Sequence, residues 1–377
     1  MSAKNQTKMQ VPLLNLRAQY KSMKNEIGSA IQKILDNQSF ILGPEVQALE
    51  NEVARYCGTR YAVGVASGTD ALFLSLKAMS IGDGDEVITT PFTFIATGGA
   101  IHNTGARPVF ADIDPRTFNI DPSKIKERIT KKTKALMPVH LYGLMADMDA
   151  INAVAKEADL KVIEDNAQGI GATYKGKVAG SMSDAGCISF FPGKNLGSYG
   201  DAGMVVTDDE KLAKRIKVIR VHGSTSKYIH ETIGYNSRLD NLQAAILLVK
   251  LKYLDGWTRK RQENAAYYNA NLKGLPLITT PHVPEHRAHV YHQYTIRVAR
   301  VRNGLMDHLN EHGIEARIYY PIPLHLQECF KQLGYKKGDF PEAERAMDEA
   351  LSLPVDSELS SEQKEYIVAT IREFFSK

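Results

Sequence analysis

The chain is poor in the residues that build covalent or metal-held frameworks. Cys57, Cys187 and Cys329 are its three cysteines in 377 residues, scattered and without a C-x-x-C pair. An odd, dispersed set excludes a disulfide scaffold or a zinc ribbon and fits a reducing compartment. Long apolar runs are missing as well: none reaches the roughly 20 residues that span a bilayer. Met1 to Gln10 is polar, without the apolar core of a secretory signal. The sequence therefore reads as cytoplasmic and not membrane-bound. The net charge of +4 is spread along the chain with no basic block, so nucleic-acid binding is not indicated, while a small anionic ligand suits the balance. Internal repeats and low-complexity stretches are absent. What remains is an ordinary globular composition, 43% hydrophobic and 24% charged, in a chain long enough for one large domain and a smaller one.

The residues that are present alternate between strand and helix patterns. Tyr20 to Asp36 carries Met23, Ile27, Ile31, Ile34 and Leu35 at helical spacing; Phe40 to Pro44 ends that helix, and Glu45 to Tyr56 reads as the next. Tyr61 to Ala66 is a strand that runs into Ser67-Gly68-Thr69-Asp70 and a helix through Met79. Strands follow at Glu86 to Thr90, Pro108 to Ala111, Ala135 to Val139 and Lys161 to Glu164. Helices lie between them at Phe94 to His102, from Asp121-Pro122 onward, and at Asp149 to Glu157. Asp121 and Pro122 serve there as N-cap and first-turn proline. This order predicts an α/β fold with a mainly parallel central sheet. Amphipathic helices follow at Asp209 to Val221 and Asn241 to Tyr253, and the pattern changes after about Gly256. Strands at Val290 to Val298 and Ile314 to Ile318, with helices at Asn303 to His312 and Ser361 to Phe375, suit a smaller α+β unit. The expected division is a large domain over 12–255, with an N-terminal helical arm, and a small C-terminal domain over 256–377.

One stretch organises the chemistry: Ser189-Phe190-Phe191-Pro192-Gly193-Lys194-Asn195-Leu196-Gly197, continued by Ser198-Tyr199-Gly200-Asp201-Ala202-Gly203. The apolar run Cys187 to Phe191 reads as a buried strand that Pro192 and Gly193 break, exposing Lys194 at the lip of the turn. Glycines at 193, 197, 200 and 203 permit close backbone approach to a ligand. A desolvated lysine at a strand end is what Schiff-base chemistry requires, because the amine must act as a nucleophile. Ser67-Gly68-Thr69-Asp70 lies where a strand feeds a helix, whose unpaired N–H groups and positive dipole end suit a phosphate; an ordinary N-cap has the same sequence. Asp165 follows the apolar residues Val162 and Ile163, at the carboxyl end of a parallel strand, where such folds bind ligands. Opposite a pyridinium nitrogen it would contribute about 4 kcal/mol at about 4 Å and an effective dielectric near 20, keeping the ring protonated as an electron sink. Gln168 is placed to donate to a phenolic oxygen, and Phe94 either stacks on a flat heterocycle or belongs to the core. Arg238, beyond Asn236 in a polar loop, either binds an anion bidentately or pairs with Asp240 at the surface. No His/Asp/Glu set at ligand spacing accompanies Asp165, so no metal is expected.

Together these segments resemble the DegT/DnrJ/EryC1/StrS family of sugar aminotransferases, of aspartate aminotransferase fold type I. The stretches that carry the likeness are Phe40 to Pro44, Ser67 to Leu72, Pro91 to Ala96, Glu164 to Ala172, Ser189 to Gly203, Tyr235 to Ala245 and Ala316 to Leu326. The resemblance implies pyridoxal phosphate (PLP) on Lys194, passing through the pyridoxamine form, with Asp165 at the ring nitrogen, Gln168 at the phenolic oxygen and Phe94 against the ring. Gly68, Thr69 and Ser189 match phosphate contacts. Asn236 matches a residue reaching the phosphate from a neighbouring subunit, which implies a homodimer with shared active sites. Arg238, Tyr319 and Tyr320 fall at the sugar pocket. The substrate implied is a keto sugar on a nucleotide, a keto-deoxy sugar or a keto-uronate, with glutamate as donor. The chain departs from the family at Ala202, often glycine, and at Tyr319, where relatives acting on nucleotide-linked 3-keto-uronates carry histidine. A sugar dehydratase of the same family would replace Lys194 with histidine. A nicotinamide-dependent dehydrogenase would need a Gly-x-Gly-x-x-Gly after the first strand, which the chain lacks. A cofactor-sensing regulator would need a DNA-binding segment, and none is evident.

Overall fold

The computed structural model describes residues 9–376, so most of the polar N-terminal tail lies outside the described residues. The chain begins with helices α1 (Leu16–Asn37) and α2 (Pro44–Cys57), then enters the sheet at β1 (Tyr61–Val65). Helix α3 (Gly68–Ala78), β2 (Glu86–Thr89), α4 (Ile95–Asn103), β3 (Arg107–Phe110), β4 (Thr133–Met137), α5 (Met148–Glu157) and β5 (Lys161–Asp165) follow. The strands Ala185–Ser189 and Gly203–Thr207 complete a seven-stranded sheet. Across it the order is β1, Gly203–Thr207, Ala185–Ser189, β5, β4, β2, β3. All neighbours from Ala185–Ser189 to β3 are parallel, and the Gly203–Thr207 strand alone runs against both its partners. The α/β architecture expected from the alternating pattern is therefore present.

Strand residues alternate between the two faces, as a period of two requires. Val63, Val65, Cys187 and Val205 pack into one core with Leu72, Leu76 and, from α6 (Glu210–Ile219), Ile216. Ala62, Ile188, Met204 and Val206 face the other way, onto Leu49 and Val53 of α2 and Leu247 of α7 (Asn241–Leu251). Because both faces are covered, these strands read as continuous apolar runs.

A second core forms from α8 (Leu254–Leu272), α9 (Arg302–Glu311), α11 (Ser361–Ser376) and a three-stranded sheet of Ile278–Thr279, Tyr294–Val298 and Ala350–Leu353. Tyr268, Leu305, Leu309, Leu351, Ile367 and Ile371 are buried in it, together with Val11 from the N-terminal arm. Gly256, where the sequence pattern changes, lies in the first turn of α8. Between the cores, α10 (Pro341–Glu349) and the turns before it press Phe330 and Phe340 onto Phe92 and Phe110 at the far end of the sheet.

Three expected elements differ. The segment after Asp121-Pro122 makes only short 3₁₀ turns, Pro122–Lys124 and Lys126–Arg128, because Ile125 alone is fully buried there and no apolar stripe exists to dock a longer helix. Ile314 to Ile318 is not a strand: Ile314 bridges to Val11 and Arg317 to Ser352, each as an isolated pair. The strand expected from Val290 starts only at Tyr294, since Tyr291 takes a left-handed φ of 45° and turns the preceding residues toward the large sheet.

Candidate active site

The carboxyl ends of β1, β2, β5 and the Ala185–Ser189 strand point to one edge of the sheet, and a cavity of about 600 Å³ opens there. Of the residues singled out in the sequence, Gly68, Thr69, Phe94, Asp165, Gln168, Ser189, Lys194, Tyr319 and Tyr320 all line it. Asn236 and Arg238 do not: Asn236 is exposed and Arg238 half-buried, both on the loop leading into α7.

Lys194 is half-buried rather than exposed, because its strand ends at Ser189 and the turn folds back, with the Lys194 N–H donating to the Phe191 carbonyl at 2.8 Å. Burial lowers its ammonium to about 8, and Asp165 nearby acts in the opposite sense. Gly197 and Gly203 serve a different purpose from the one expected. A Cβ at Gly197 would sit 2.3 Å from the Pro192 carbonyl oxygen, and one at Gly203 would sit 2.2 Å from that of Ser67. Close approach there is between backbone and backbone, not backbone and ligand. Lys250 of α7, fully buried, donates to the Gly197 carbonyl and ties the turn down from behind.

Asp165 is the last residue of β5, and its carboxylate is buried against Thr97 Oγ1 at 2.7 Å and the Ala167 N–H at 3.2 Å. Burial leaves its carboxyl raised above the usual carboxylate range, and these two donors with Lys194 offset only part of that effect. Beneath it, the neighbouring Glu164 is fully buried against His140 Nε2 at 2.7 Å and the Gly180 and Met182 N–H groups at 2.8 Å. The backbone N–H of His140 donates to the Asp165 carbonyl at 3.1 Å.

Gln168 Oε1 accepts from the Tyr142 N–H at 2.6 Å while its Nε2 donates to Tyr320 Oη at 3.0 Å, which fixes the amide's orientation. Tyr142 Oη donates to the Tyr319 carbonyl. Phe94, the N-cap of α4, keeps 55% of its surface exposed in the cavity and tilts against Tyr320 with ring centroids 6.1 Å apart. At the start of α3, Ser67 Oγ takes the Asp70 N–H at 3.1 Å. Gly68 and Thr69 carry N–H groups of the first turn, which a helix leaves without internal acceptors. A Cβ at Gly68 would lie 2.5 Å from Ser189 Cβ, so the strand end and helix start are in contact there. The set fits a phosphorylated pyridine aldehyde: one cavity offers N–H groups for an anion, a buried carboxylate for a ring nitrogen and an amine of lowered basicity.

The sequence did not reveal several residues of this cavity. Thr97, His292, Gln293 and Arg261 all line it. Burial holds the His292 imidazole well below its usual range, with Lys194 and Arg261 adding to the effect, and its Nδ1 lies 3.2 Å from Asn195 Oδ1. Arg261 pairs with Asp356 at 3.4 Å. Thr97 was findable, four residues after Thr93 on the helix following a ligand-bearing strand end. His292, Gln293 and Arg261 come from distant segments with no local signal.

Known proteins resemble this chain over nearly its whole length. A protein of Geobacillus stearothermophilus named as a pleiotropic regulatory protein is 52% identical over 97% of this chain and 99% of its own. A UDP-N-acetyl-3-dehydro-α-D-glucosamine 3-aminotransferase of Acidithiobacillus ferrooxidans is 47% identical over 96% of this chain and 97% of its own. The crystal structure of DesV from S. venezuelae, in complex with a ketimine intermediate, superposes with a TM-score of 0.96 at 42% identity, covering 98% of this chain and 99% of that one. With a family match over residues 21–372, this chain belongs to the DegT/DnrJ/EryC1/StrS aminotransferases, which depend on pyridoxal phosphate.

Proposed function

We propose that the protein transfers the amino group of L-glutamate to the ketone of a nucleotide-linked sugar, and that it works as a homodimer with shared active sites. The observation that carries this reading is the joint placement of Lys194 and Asp165 in one cavity, each altering the charge balance of the other. Pyridoxal phosphate supplies an aldehyde that exchanges amines and a protonated ring that accepts the electron pair left when a C–H bond breaks. Asp165 keeps the proton on the ring nitrogen. Gln168, oriented by Tyr142 and Tyr320, donates toward the phenolic oxygen. Gly68, Thr69 and Ser189 hold the phosphate, and Phe94 covers the ring. Lys194 would hold the cofactor's aldehyde carbon, and its amine, with basicity lowered by burial, would take the proton from the donor's Cα as general base and return it as general acid.

The sugar assignment rests on the name of the Acidithiobacillus relative, which acts on a UDP-linked 3-keto sugar. Tyr319 and Tyr320 at the cavity supply the hydroxyl-bearing aromatic surfaces that a sugar ring packs on. A purely regulatory role would leave Lys194, with its lowered basicity, without a use. The dimer is supported by the loop before α7: Tyr228 and Ile233 are 85% and 89% exposed, and Asn236 faces solvent beyond them. An apolar loop tip of this kind is ready for a partner surface.

The test is a panel of keto-sugar nucleotides, uronates included, incubated with glutamate while 2-oxoglutarate is measured. Stoichiometric 2-oxoglutarate with an aminated nucleotide sugar is the expected result. Turnover of none of the panel, with cofactor bound to Lys194, would remove the sugar assignment and leave the aminotransferase chemistry standing.

A further inference from the structure

Away from the cofactor cavity, α9 and α11 bring His308, His312 and Glu373 together, with one ligand atom from each within 4.8 Å of the others. His308 and His312 are four residues apart, on one face of the end of α9, and their ring centroids lie 4.3 Å apart. Glu373 projects from α11, whose Phe374 sits 5.5 Å from the His308 ring, so the two helices are in contact at this point. The backbone also settles the state of one imidazole. Nδ1 of His312 lies 2.7 Å from the carbonyl oxygen of His308. A carbonyl only accepts, so Nδ1 carries the proton and the neutral ring keeps its lone pair on Nε2. That is the arrangement of a metal-binding histidine, whose other ring nitrogen donates to a carbonyl behind it.

We propose that these residues form a site for a divalent metal ion of the Zn²⁺ class, bound by His312 Nε2, an imidazole nitrogen of His308 and a carboxylate oxygen of Glu373. Two imidazoles and one carboxylate select borderline first-row ions over Mg²⁺ and Ca²⁺, which demand oxygen ligands. Metal–ligand bonds near 2.0–2.1 Å place ligand atoms about 3.4 Å apart in a tetrahedron. The three ligand atoms start within 4.8 Å of one another, and the side chains close the remaining gap as the ion binds. Water completes the coordination. None of the three residues lines the cofactor cavity, so the ion's effect is to staple the last helix onto the second core, not to join the transfer chemistry.

The test uses the untagged, cofactor-loaded protein after dialysis against chelator, titrated with Zn²⁺ by calorimetry, with Co²⁺ as a spectroscopic probe and Mg²⁺ as control. The expected result is one Zn²⁺ per chain at this site and a raised melting midpoint. Glu373→Gln and His312→Gln should each weaken that binding at least about tenfold, no less than the loss of a ligand's own hydrogen-bond partner costs, and should leave aminotransfer unchanged. Glu373→Gln alters an exposed side chain, so its folding is secure, and it decides the matter if His312→Gln proves unstable. Zn²⁺ binding with the same stoichiometry and affinity in the parent and in Glu373→Gln overturns the site, as does a parent that binds no Zn²⁺ at 100-fold excess.

Discussion

Lys194 and Asp165 share one cavity, and the state of each depends on the other. Because burial brings the Lys194 ammonium down to about 8, its free-amine fraction rises with pH through that value and levels off above it. Capture of pyridoxal phosphate by the apoprotein should therefore speed up about tenfold per pH unit below that midpoint and flatten beyond it. Stopped-flow absorbance of the bound cofactor reads this directly, and a midpoint near the ordinary lysine value would show that Lys194 is not desolvated. Lys194→Ala should lose at least the roughly 10²–10⁴-fold that acid–base catalysis supplies. Borohydride treatment of the parent should label Lys194 and no other lysine. Asp165→Asn should fold and still bind cofactor, but lose most turnover, since a neutral amide cannot keep the ring nitrogen protonated. Unaltered kinetics with glutamate in that variant would remove the electron-sink role from Asp165.

At the scale of elements, the site depends on how closely the start of α3 meets the two strands beside it. Gly203 is the tightest contact: a Cβ there would lie 2.2 Å from the Ser67 oxygen and 2.7 Å from the Gly68 nitrogen, both backbone atoms. Neither atom can rotate away, so Gly203→Ala must part the strand from the helix start. Overpacking of this kind costs about 1–3 kcal/mol. A lowered urea midpoint should appear together with weaker cofactor retention, because the displaced helix start carries the N–H groups of Gly68 and Thr69. A variant as stable as the parent but unable to hold the cofactor would mean that Gly203 serves the ligand after all.

Across the whole molecule, the question is where Asn236 and Arg238 act. Both sit outside the cavity of their own chain, on a loop with an exposed apolar tip. If the loop completes a partner's site, Lys194→Ala subunits and Asn236→Ala/Arg238→Ala subunits should complement each other. A mixed dimer then has one site with both lesions and one with neither, so equal mixing should restore about a quarter of parental activity, by two-fold symmetry. Subunit exchange seen by native mass spectrometry without recovered turnover would rule out shared sites.

The sequence by itself determined the alternation of strands and helices as far as β5, the lysine turn and the carboxylate at the end of β5, because each is written in local spacing and in glycine and proline punctuation. Periodicity also sufficed for α2, α3, α5 and α6, whose stripes match the core they bury. It failed at Asp121-Pro122, where a good capping signal preceded a segment with nothing to bury, and at α8, where Arg261 and Asn264 lie buried inside a helix that reads as polar. Only the tertiary structure decided that Lys194 is half-buried, that Gly197 and Gly203 serve backbone packing, and that His292, Gln293 and Arg261 join the cavity. Those facts depend on which segments meet across the fold, and desolvation, the quantity that sets the basicity of Lys194, is a property of that meeting and not of any neighbouring residue in the chain.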